Sequence, residues 1–322
     1  MKLTSAESAK ARERERRTVH IINPVSGSGR KFKKTHQTLT SLKETIYLTK
    51  RESDCTEFVR ELLTKDPYTH IVAHGGDGTM SEAVTGIMEA GAGKTALFTG
   101  VPSGSGNDFL RYMYEEKNVC GKLYPTDLIR ANGRYSVNVV NVGFDCTVVS
   151  EAEKIRKAPG IGSSFSYILG VVSALTKKTA FKTGVALKGI RRASGELYDD
   201  ELRGEYLLAA VANGRYYGGG FKVAPRSDSS DGFIDVILVK NVSVPKFASL
   251  VSGFRKGTHL AANGAVKENF KDVLIFKRCL GVSFGGIKEV CFDGEIESHD
   301  RLVAEVVPRA IIYTPPKKEW VL

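Results

Sequence analysis

Short apolar runs alternate with segments of helical periodicity in the first 125 residues. The apolar runs have the length and β-branched content of buried strands: TVHIIN (18–23), ETIYLT (44–49), THIVAH (69–74) and TALFTG (95–100). Apolar residues recur at helical spacing in the segments between them, namely KFKKTHQTLTSL, SDCTEFVRELLTK and the stretch with Ala83, Val84, Ile87 and Met88. This alternation predicts βαβ units, and therefore an α/β domain with a doubly wound parallel sheet over residues 18–125.

The pattern changes after residue 126 to strands of period 2 separated by glycine-rich turns. The strand candidates are YSVNVVNVGF, FKTGVALKGI, EYLLAAVANG, FIDVILVK, DVLIFKRCL, KEVCFDGE and RLVAEVVP. Helical spacing returns in SYILGVVSALTKK and VPKFASLVSGF. Residues 126–308 are therefore predicted to form a second, mostly β, sandwich-like domain. The late run RAIIYTPP (309–316) is a strand candidate that we expect to return to the first domain.

Composition excludes several classes of protein. The 322 residues are 42% hydrophobic and 26% charged, as in ordinary globular domains. The five cysteines and six histidines show no CxxC, HxxxH or HExxH spacing, so neither a disulfide framework nor a zinc site is predicted. The longest apolar run, YILGVVSAL, is far shorter than the roughly 20 residues that span a bilayer, and no segment resembles an export signal. These features favour a cytoplasmic location.

Positive charge is concentrated at the start of the chain. The net charge is +11, and residues 1–34 hold ten lysines and arginines against three glutamates. Residues 1–17 form a basic tail that is suited to an anionic surface, which nucleic acid, anionic lipid or nucleotide phosphates would provide. A solvated tail that aids solubility is the simpler interpretation.

A glycine-rich loop follows three of the four predicted strands of the first domain: NPVSGSGRKFKK, GGDGT and VPSGSGND. Ligands of parallel sheets bind beyond the carboxyl ends of the strands, and free backbone N–H groups beside a helix start can cradle a phosphate. A Walker A loop is absent, because Met88 stands where GAGKT would need its first glycine, so GAGKT is predicted to be a helix-ending turn. A dinucleotide GxGxxG is also absent after the first strand.

Carboxylates occur in one of these loops and in turns of the second domain. Asp77 lies in GGDGT, Asp231 in SDGFID, and Asp293 and Glu295 in FDGEIE. An acid among phosphate-binding amides is suited to handle a metal ion or a proton, although aspartate is also common in turns. Asp293 and Glu295 are two residues apart and are predicted to share one face of a strand, where they form a candidate general base or magnesium site.

With these motifs in order, the chain resembles the diacylglycerol kinase catalytic family, the bacterial soluble lipid kinases related to sphingosine kinases. The matching motifs are NPVSGSG (23–29), GGDGT (75–79), PSGSGNDF (102–109), NVGFD (141–145), ANGRYYGGGFKVAP (212–225), DGFIDV (231–236) and DGE (293–295). The resemblance implies an N-terminal nucleotide-binding domain, a C-terminal β-rich domain, a cleft between them, and phosphoryl transfer from ATP to a lipid hydroxyl.

The resemblance also implies roles for single residues. The nucleotide-binding set is Asn23, Arg30, Lys31, Gly75, Gly76, Gly78, Thr79, Ser103, Gly104, Ser105, Gly106, Asn107 and Asp108. Glu295 and Asp77 are rival general bases. If Glu295 is the base, Asp77, Asp231 and Asp293 are implied to organise Mg²⁺ and water around it, with Asp231 and Asp293 as the metal ligands. The chain departs from the family at Ser105, where threonine is usual, and at Ser227, where alanine is usual.

Alternatives remain at this stage. NAD kinases share a GGDGT loop, although YYGGGFKVAP and FDGE match the lipid-kinase pattern better. A non-catalytic lipid or nucleotide sensor is a second alternative, and a nucleic-acid-binding tail is a third that we do not favour. The lipid itself is open among diacylglycerol, phosphatidylglycerol, undecaprenol and sphingoid bases, with diacylglycerol preferred on family grounds. The expected location is the inner membrane face, reached through the basic tail or SFSYILGVVSALTKK, although the apolar stripe of that segment is also typical of a helix packed in the core. A homodimer is expected on general grounds.

Overall fold

A computed structural model of the chain describes residues 16–29, 31–104, 106–116, 123–156, 180–192 and 194–321. Most of the basic tail, Arg30, Ser105 and the segment SYILGVVSALTKK lie outside the described residues. The chain divides into two compact units. Unit 1 comprises Met1–Ser103, Val119–Pro125 and Ala310–Leu322, and unit 2 comprises Gly104–Asn118 and Thr126–Arg309.

Unit 1 is a parallel sheet with connecting helices. The strands, in the spatial order β2–β1–β3–β4, are β1 (Thr18–Ile22), β2 (Thr45–Leu48), β3 (His70–Gly75) and β4 (Leu97–Pro102). The helices are α1 (Phe32–Ser41), α2 (Asp54–Lys65) and α3 (Asp77–Glu89). Asp54 in the first turn of α2 and Lys65 in its last turn complement the helix dipole. The parallel α/β layout predicted for the first domain is confirmed.

The C-terminal run supplies a further strand to unit 1. Ile312 and Tyr313, at the end of β15 (Arg301–Tyr313), pair in parallel with Leu97 and Phe98 of β4. A 3-10 turn, Lys318–Trp320, follows this strand.

Buried imidazoles pack beneath Trp320 in the core of unit 1. His20 Nδ1 lies 2.8 Å from His74 Nε2, and both rings are fully buried. The ring of Trp320 meets His20 edge-on at 4.8 Å, and its Nε1–H donates to Glu44 Oε1 at 3.2 Å. Burial is the main cause that lowers the pKa of His20 to about 4, and of His70 and His74 to about 3.

Unit 2 is mostly antiparallel β. Its strands are β5 (Tyr124–Ala131), β6 (Arg134–Ser136), β7 (Val139–Gly143), β8 (Phe181–Arg191), β9 (Leu197–Ala212), β10 (Ile234–Lys240), β11 (Leu274–Cys279), β12 (Gly281–Gly285), β13 (Glu289–Phe292), β14 (Glu295–Ser298) and the start of β15. One path of paired strands runs β14–β13–β7–β9–β8–β12–β15, and β10 pairs with both β9 and β11. Unit 2 also contains helices α4 (Asp108–Arg111), α5 (Phe144–Arg156) and α6 (Val244–Lys256), a π-helical turn at Tyr112–Glu116 and a 3-10 turn at Glu268–Phe270.

Two hydrophobic clusters lie on opposite faces of β9. Ala209 and Val211 face a cluster formed with β8, β12 and β15. Leu208 and Ala210 face a cluster that includes Phe247 of α6. A strand with both faces covered reads as a continuous apolar run, and this is why EYLLAAVANG lacks alternation. The mostly β, sandwich-like class predicted for the second domain is confirmed.

Two elements of unit 2 differ from the sequence prediction. YSVNVVNVGF is not one strand: it divides into β6 and β7, and α5 begins directly at Phe144. The strand ends at Gly143, which has a φ of 86° and whose missing Cβ would lie 2.5 Å from the Phe181 ring. Strand β5 and helix α5 were not predicted.

Candidate functional site

The carboxyl ends of three strands of unit 1 meet at the start of α3. The Asn23 N–H, just after β1, donates to the His74 carbonyl of β3 at 3.1 Å. The Ser103 N–H, just after β4, donates to the Gly75 carbonyl at 3.0 Å. Asn23 Nδ2 also donates to Thr79 Oγ1 at 3.3 Å. The structure therefore brings together Asn23, the GGDGT loop and Ser103, as the order of loops along the sheet edge predicts.

The start of α3 is suited to bind an anion. The helix begins at Asp77, and the residue at its N-cap is Gly76, which has no side chain to accept the first-turn N–H groups. These amides carry the positive end of the helix dipole. Gly75 is required here for steric reasons, because a Cβ would lie 2.3 Å from both Cβ and Oγ1 of Thr79. Gly78 and Asp77 occupy the first turn, where both are half-buried.

A cavity of 330 Å³ opens beside these loops within unit 1. Its lining includes Asn23 and Thr79, together with Thr49, Lys50 and Glu82, which the sequence analysis missed. Thr49 follows β2 directly, and its N–H donates to the Ile22 carbonyl at 3.0 Å. Ligands of parallel sheets bind beyond the carboxyl ends of the strands, and the same rule, applied to β2, would have selected Thr49. Glu82 lies three residues after Thr79 on the same face of α3, and its Oε2 accepts the Cys55 N–H at 3.2 Å.

The first glycine-rich loop is partly helical. Ser26–Gly29 form a 3-10 turn, and Lys31 stands at the N-cap of α1. Arg30, its neighbour in the predicted set, lies outside the described residues.

From Gly104 onward the third loop belongs to unit 2, and it contains a self-contained turn. Asn107 adopts a left-handed conformation, with φ of 53°. Its Oδ1 accepts the Gly104 N–H at 3.1 Å, and its Nδ2 donates to the Gly104 carbonyl at 2.7 Å. These two bonds link Gly104 and Asn107. Gly106 belongs to the same loop, and Ser105 lies outside the described residues.

The carboxylate of Asp108 is buried and hydrogen-bonded within unit 2. It is 3% exposed, and its Oδ2 accepts the Gly219 N–H at 2.8 Å. Burial raises its pKa, whereas the hydrogen bond from Gly219 and the charge of Arg111 oppose that rise. In this position Asp108 anchors the glycine run of YYGGGF, in which Gly218, Gly219 and Gly220 all have positive φ. The carboxylate therefore has a structural partner within unit 2, and the nucleotide contact implied for Asp108 stays a prediction.

The prediction that Asp293 and Glu295 share one strand face is wrong. Asp293 and Gly294 form the two-residue turn between β13 and β14, with φ of 46° and 101°, and Phe292 pairs with Glu295. Two positive φ values are typical of a type I′ hairpin turn, for which Asp-Gly is a strong sequence signal. The Asp293 carboxylate accepts three backbone N–H groups, from Val137 at 3.0 Å, Asn138 at 3.2 Å and Val139 at 2.8 Å.

Glu295 lies in a network of charged side chains in unit 2. Arg134 Nη2 is 2.8 Å from Glu295 Oε2, and the same guanidinium pairs with Glu297. The Arg134 guanidinium also lies over the ring of Phe292, 4.9 Å from its centroid. His299 Nε2 is 3.0 Å from Glu297 Oε2. Glu295 is one-third exposed, so its carboxylate is both held in position and accessible. No local pattern pointed to Arg134, because 161 residues separate it from Glu295.

Asp231 belongs to an ion-pair network with Arg278. Arg278 Nη1 is 3.2 Å from Asp231 Oδ2, and its Nε donates to the buried Asp235 at 2.8 Å. Burial raises the pKa of Asp231 to about 6, against the opposing charge of Arg278. Ser227, the departure from the family pattern, donates through Oγ to Asp235 at 2.8 Å. This serine therefore adds a hydrogen bond to the network rather than disturbing it.

The residues nominated for Mg²⁺ do not fit a metal centre. The Asp293 oxygens are occupied by backbone amides, and Asp231 is neutralised by Arg278. Among the residues that the structure describes, no three His, Cys, Asp or Glu side chains cluster as metal ligands. A bound cation would need several free oxygen ligands, which neither aspartate supplies.

Unit 1 is a parallel α/β unit whose strand-end loops meet at an uncapped helix start. Comparisons with known proteins show the family to which the whole chain belongs. Residues 17–142 match the family model described as the diacylglycerol kinase catalytic domain. Residues 138–313, more than half of the chain, match the model described as the YegS C-terminal NAD kinase beta sandwich-like domain. The chain belongs to this YegS and diacylglycerol kinase family, and it is a lipid kinase.

Relatives and solved structures agree with this assignment. A probable lipid kinase YegS-like from Shewanella frigidimarina is 26% identical, with 82% of each chain covered. A diacylglycerol kinase from Staphylococcus haemolyticus is 25% identical over 94% of this chain and 96% of its own. A crystal structure of a putative diacylglycerol kinase from Bacillus anthracis has the same fold, with a TM-score of 0.64 at 21% identity over 92% of this chain and 96% of that one. In the part of the chain that the structure describes, no helix has the length and apolar character needed to cross a bilayer.

Proposed function

We propose that the protein transfers the γ-phosphoryl group of ATP to the free hydroxyl of diacylglycerol and releases phosphatidic acid and ADP. The meeting of Asn23, Gly75, Gly76 and Ser103 at the uncapped start of α3 carries the nucleotide part of this proposal. The lipid part rests on the relatives, several of which are named diacylglycerol kinase.

The phosphates of ATP are proposed to bind the backbone N–H groups of the GGDGT loop. Glycine at 75, 76 and 78 lets a phosphate approach the main chain, and the dipole of α3 favours its negative charge. Thr49, Lys50 and Glu82 line the adjoining 330 Å³ cavity, which we assign to the remainder of the nucleotide. Lys31 is proposed to add positive charge at the phosphates, as the NPVSGSG motif implies. ATP is proposed to bind as its Mg²⁺ complex, so that the substrate carries the metal ion.

Transfer to an alcohol also requires a group that accepts the hydroxyl proton. The γ-phosphorus–oxygen bond to ADP breaks as the lipid oxygen bonds to phosphorus, and the lipid O–H proton passes to a carboxylate. We propose Glu295 for this role, because its carboxylate is accessible and is fixed by Arg134. Asp77 in the first turn of α3 is the rival, and Asp293 is assigned a structural role.

Transfer of labelled phosphate from ATP in mixed micelles tests the proposal. Diacylglycerol, phosphatidylglycerol, undecaprenol, a sphingoid base and, as a soluble control, NAD are offered in parallel. Label in phosphatidic acid is the expected result, and label in another lipid alone would replace the substrate while leaving the kinase assignment intact. Label in NAD and in no lipid would overturn the proposal.

Paired variants separate the two candidate bases. Glu295→Gln is expected to lower kcat by about 10²- to 10⁴-fold, the usual contribution of a general base, with little effect on the KM for ATP. Asp77→Asn, unlike Glu295→Gln, is expected to raise the KM for ATP, because Asp77 lies in the phosphate loop. A loss of kcat of that size in Asp77→Asn, with kcat nearly unchanged in Glu295→Gln, would assign the base to Asp77.

A further inference from the structure

The guanidinium of Arg134, in the short strand β6, bridges two carboxylates of β14. Its Nη2 donates to Glu295 Oε2 at 2.8 Å, and its Nη1 pairs with Glu297. Glu295 and Glu297 are two residues apart in β14, so their side chains lie on the same face of that strand. The planar guanidinium therefore holds both carboxylates at once through two different nitrogens, which the single ammonium of a lysine reproduces poorly.

An aromatic ring supports the same guanidinium. Arg134 Cζ lies 4.9 Å from the centroid of Phe292, a buried ring, and a cation over an aromatic face is attracted to it. Phe292 pairs with Glu295 across the β13–β14 hairpin. The imidazole of His299 packs edge-on against the Phe292 ring at 5.7 Å and places its Nε2 3.0 Å from Glu297 Oε2. The hairpin thus supplies the ring and both carboxylates that hold Arg134.

The two carboxylates differ in their other partners. Glu297 also meets His299, whereas in the part of the chain that the structure describes Arg134 is the one hydrogen-bond partner of the Glu295 side chain. The position of the Glu295 carboxylate therefore depends on Arg134. A protonated Glu295 is neutral and attracts the guanidinium less, while Glu297 keeps its charge and retains Arg134 in place.

We propose that Arg134 is a positioning residue for Glu295 and that Glu297 is the anchor that holds Arg134. This inference rests on the proposed function, in which Glu295 accepts the proton of the lipid hydroxyl. Arg134 keeps all its protons while that proton passes from the hydroxyl oxygen to the carboxylate. Misplacement of a reacting group by about 1 Å can cost about 10²-fold in rate, so the orientation of this carboxylate matters as well as its charge.

Substitution of Arg134 should affect kcat and leave nucleotide binding unchanged. Arg134→Met removes both bonds and should lower kcat by about 10- to 100-fold, with the KM for ATP within about twofold of the wild type. Arg134→Lys should recover at least about threefold of this loss without restoring the wild-type kcat, because one ammonium replaces the planar fork.

Arg130→Met is the matched control. Arg130 Nε donates to Glu305 Oε1 at 2.8 Å in a half-exposed ion pair that does not include Glu295. This variant should keep kcat and the KM for ATP within about twofold of the wild type, since such pairs contribute little.

Double variants show whether Arg134 acts through Glu295. In the Glu295→Gln background, adding Arg134→Met should change kcat by less than about twofold, because no carboxylate is left to position. Glu297→Gln alone should lower kcat by about 3- to 10-fold, as expected for one weakened hydrogen bond to a charged group. It should cause no further loss in the Arg134→Met background, where the anchor has nothing to hold.

The readout is transfer of labelled phosphate from saturating ATP to the lipid that accepts it in mixed micelles, and thermal unfolding checks that each variant is folded. Arg134→Lys in the same two backgrounds repeats the test with the positive charge retained. Wild-type kcat in Arg134→Met while Glu295→Gln is impaired, or losses that multiply in their double variant, would overturn the inference and leave the proposed function intact. Wild-type kcat in Glu295→Gln would overturn the proposed base, and the role of Arg134 with it.

Discussion

Acidification is expected to unfold unit 1 through its buried imidazoles. His20, His70 and His74 have pKa values lowered to about 4, 3 and 3, so the folded unit keeps them neutral at pH values where the unfolded chain binds protons. A histidine whose pKa is lowered in the folded state does not change the free energy of unfolding above about pH 6.5. Below that pH it lowers the free energy of unfolding increasingly, because the unfolded chain binds the proton. The carboxylate of Glu44 raises the pKa of His20 and so opposes the effect of burial, whereas the charge of Lys317 lowers this pKa further.

The size of the effect follows from proton linkage. With an unfolded pKa near 6.5, each histidine costs about 2 kcal/mol at pH 5, so three that protonate independently cost about 6 kcal/mol. This is a large part of the 5–15 kcal/mol typical of whole domains. Removal of one imidazole, as in His20→Gln, should reduce the slope of stability against pH by about a third.

Trp320 provides the assay, because it is the single tryptophan of the chain and packs against His20. Urea unfolding followed by its fluorescence at pH 7, 6 and 5 gives the free energy of unfolding of unit 1. His36→Gln, at a half-buried histidine of α1, is the matched control and should keep the wild-type slope. A wild-type stability that is constant between pH 7 and 5, or an unchanged slope in His20→Gln, would refute the reasoning.

Three further predictions concern the phosphate loop, the hairpin turn and the basic tail. Gly75→Ala forces Thr79 aside and should raise the KM for ATP by about tenfold or more, in line with the loss of one well-placed interaction. A KM within twofold of the wild type would contradict the proposed contact between ATP and this loop. Asp293→Ala leaves three backbone N–H groups without their acceptor and should lower the free energy of unfolding by about 2–4 kcal/mol, whereas Glu295→Gln should leave it nearly unchanged in the same urea titration. Deletion of residues 1–15 should weaken sedimentation with vesicles containing phosphatidylglycerol, and equal binding by the shortened chain would remove the proposed role of the tail.

The parallel sheet of unit 1 and its strand-end loops can be predicted from the sequence because their signals are local. Apolar runs define β1, β3 and β4, and each leads into a glycine-rich loop, so the sheet edge and its predicted phosphate loop follow from chain order alone. The same rule, applied to β2, would have added Thr49. The prediction failed to extend it because TKRESD contains no glycine.

The roles of the carboxylates could not be predicted equally well. Asp293 and Glu295 were assigned to one strand face by their spacing. Asp293 and Gly294, however, form an Asp-Gly dipeptide, a hairpin signal that should have taken precedence. Asp231 meets Arg278, and Asp108 meets Gly219, over separations that no periodicity records. Whether an acid is free for chemistry is decided by such distant partners, and only the fold supplies them.

The return of β15 to unit 1 makes the assembly of unit 1 depend on the synthesis of all of unit 2. The edge of β4 gains Ile312 and Tyr313 only after some two hundred further residues have been added, roughly 10–40 s later at 5–20 residues per second. Trp320 closes over His20 later still. During that interval the nascent unit presents an unpaired, apolar strand edge and an uncovered core, so a ribosome-bound chaperone has its natural target there.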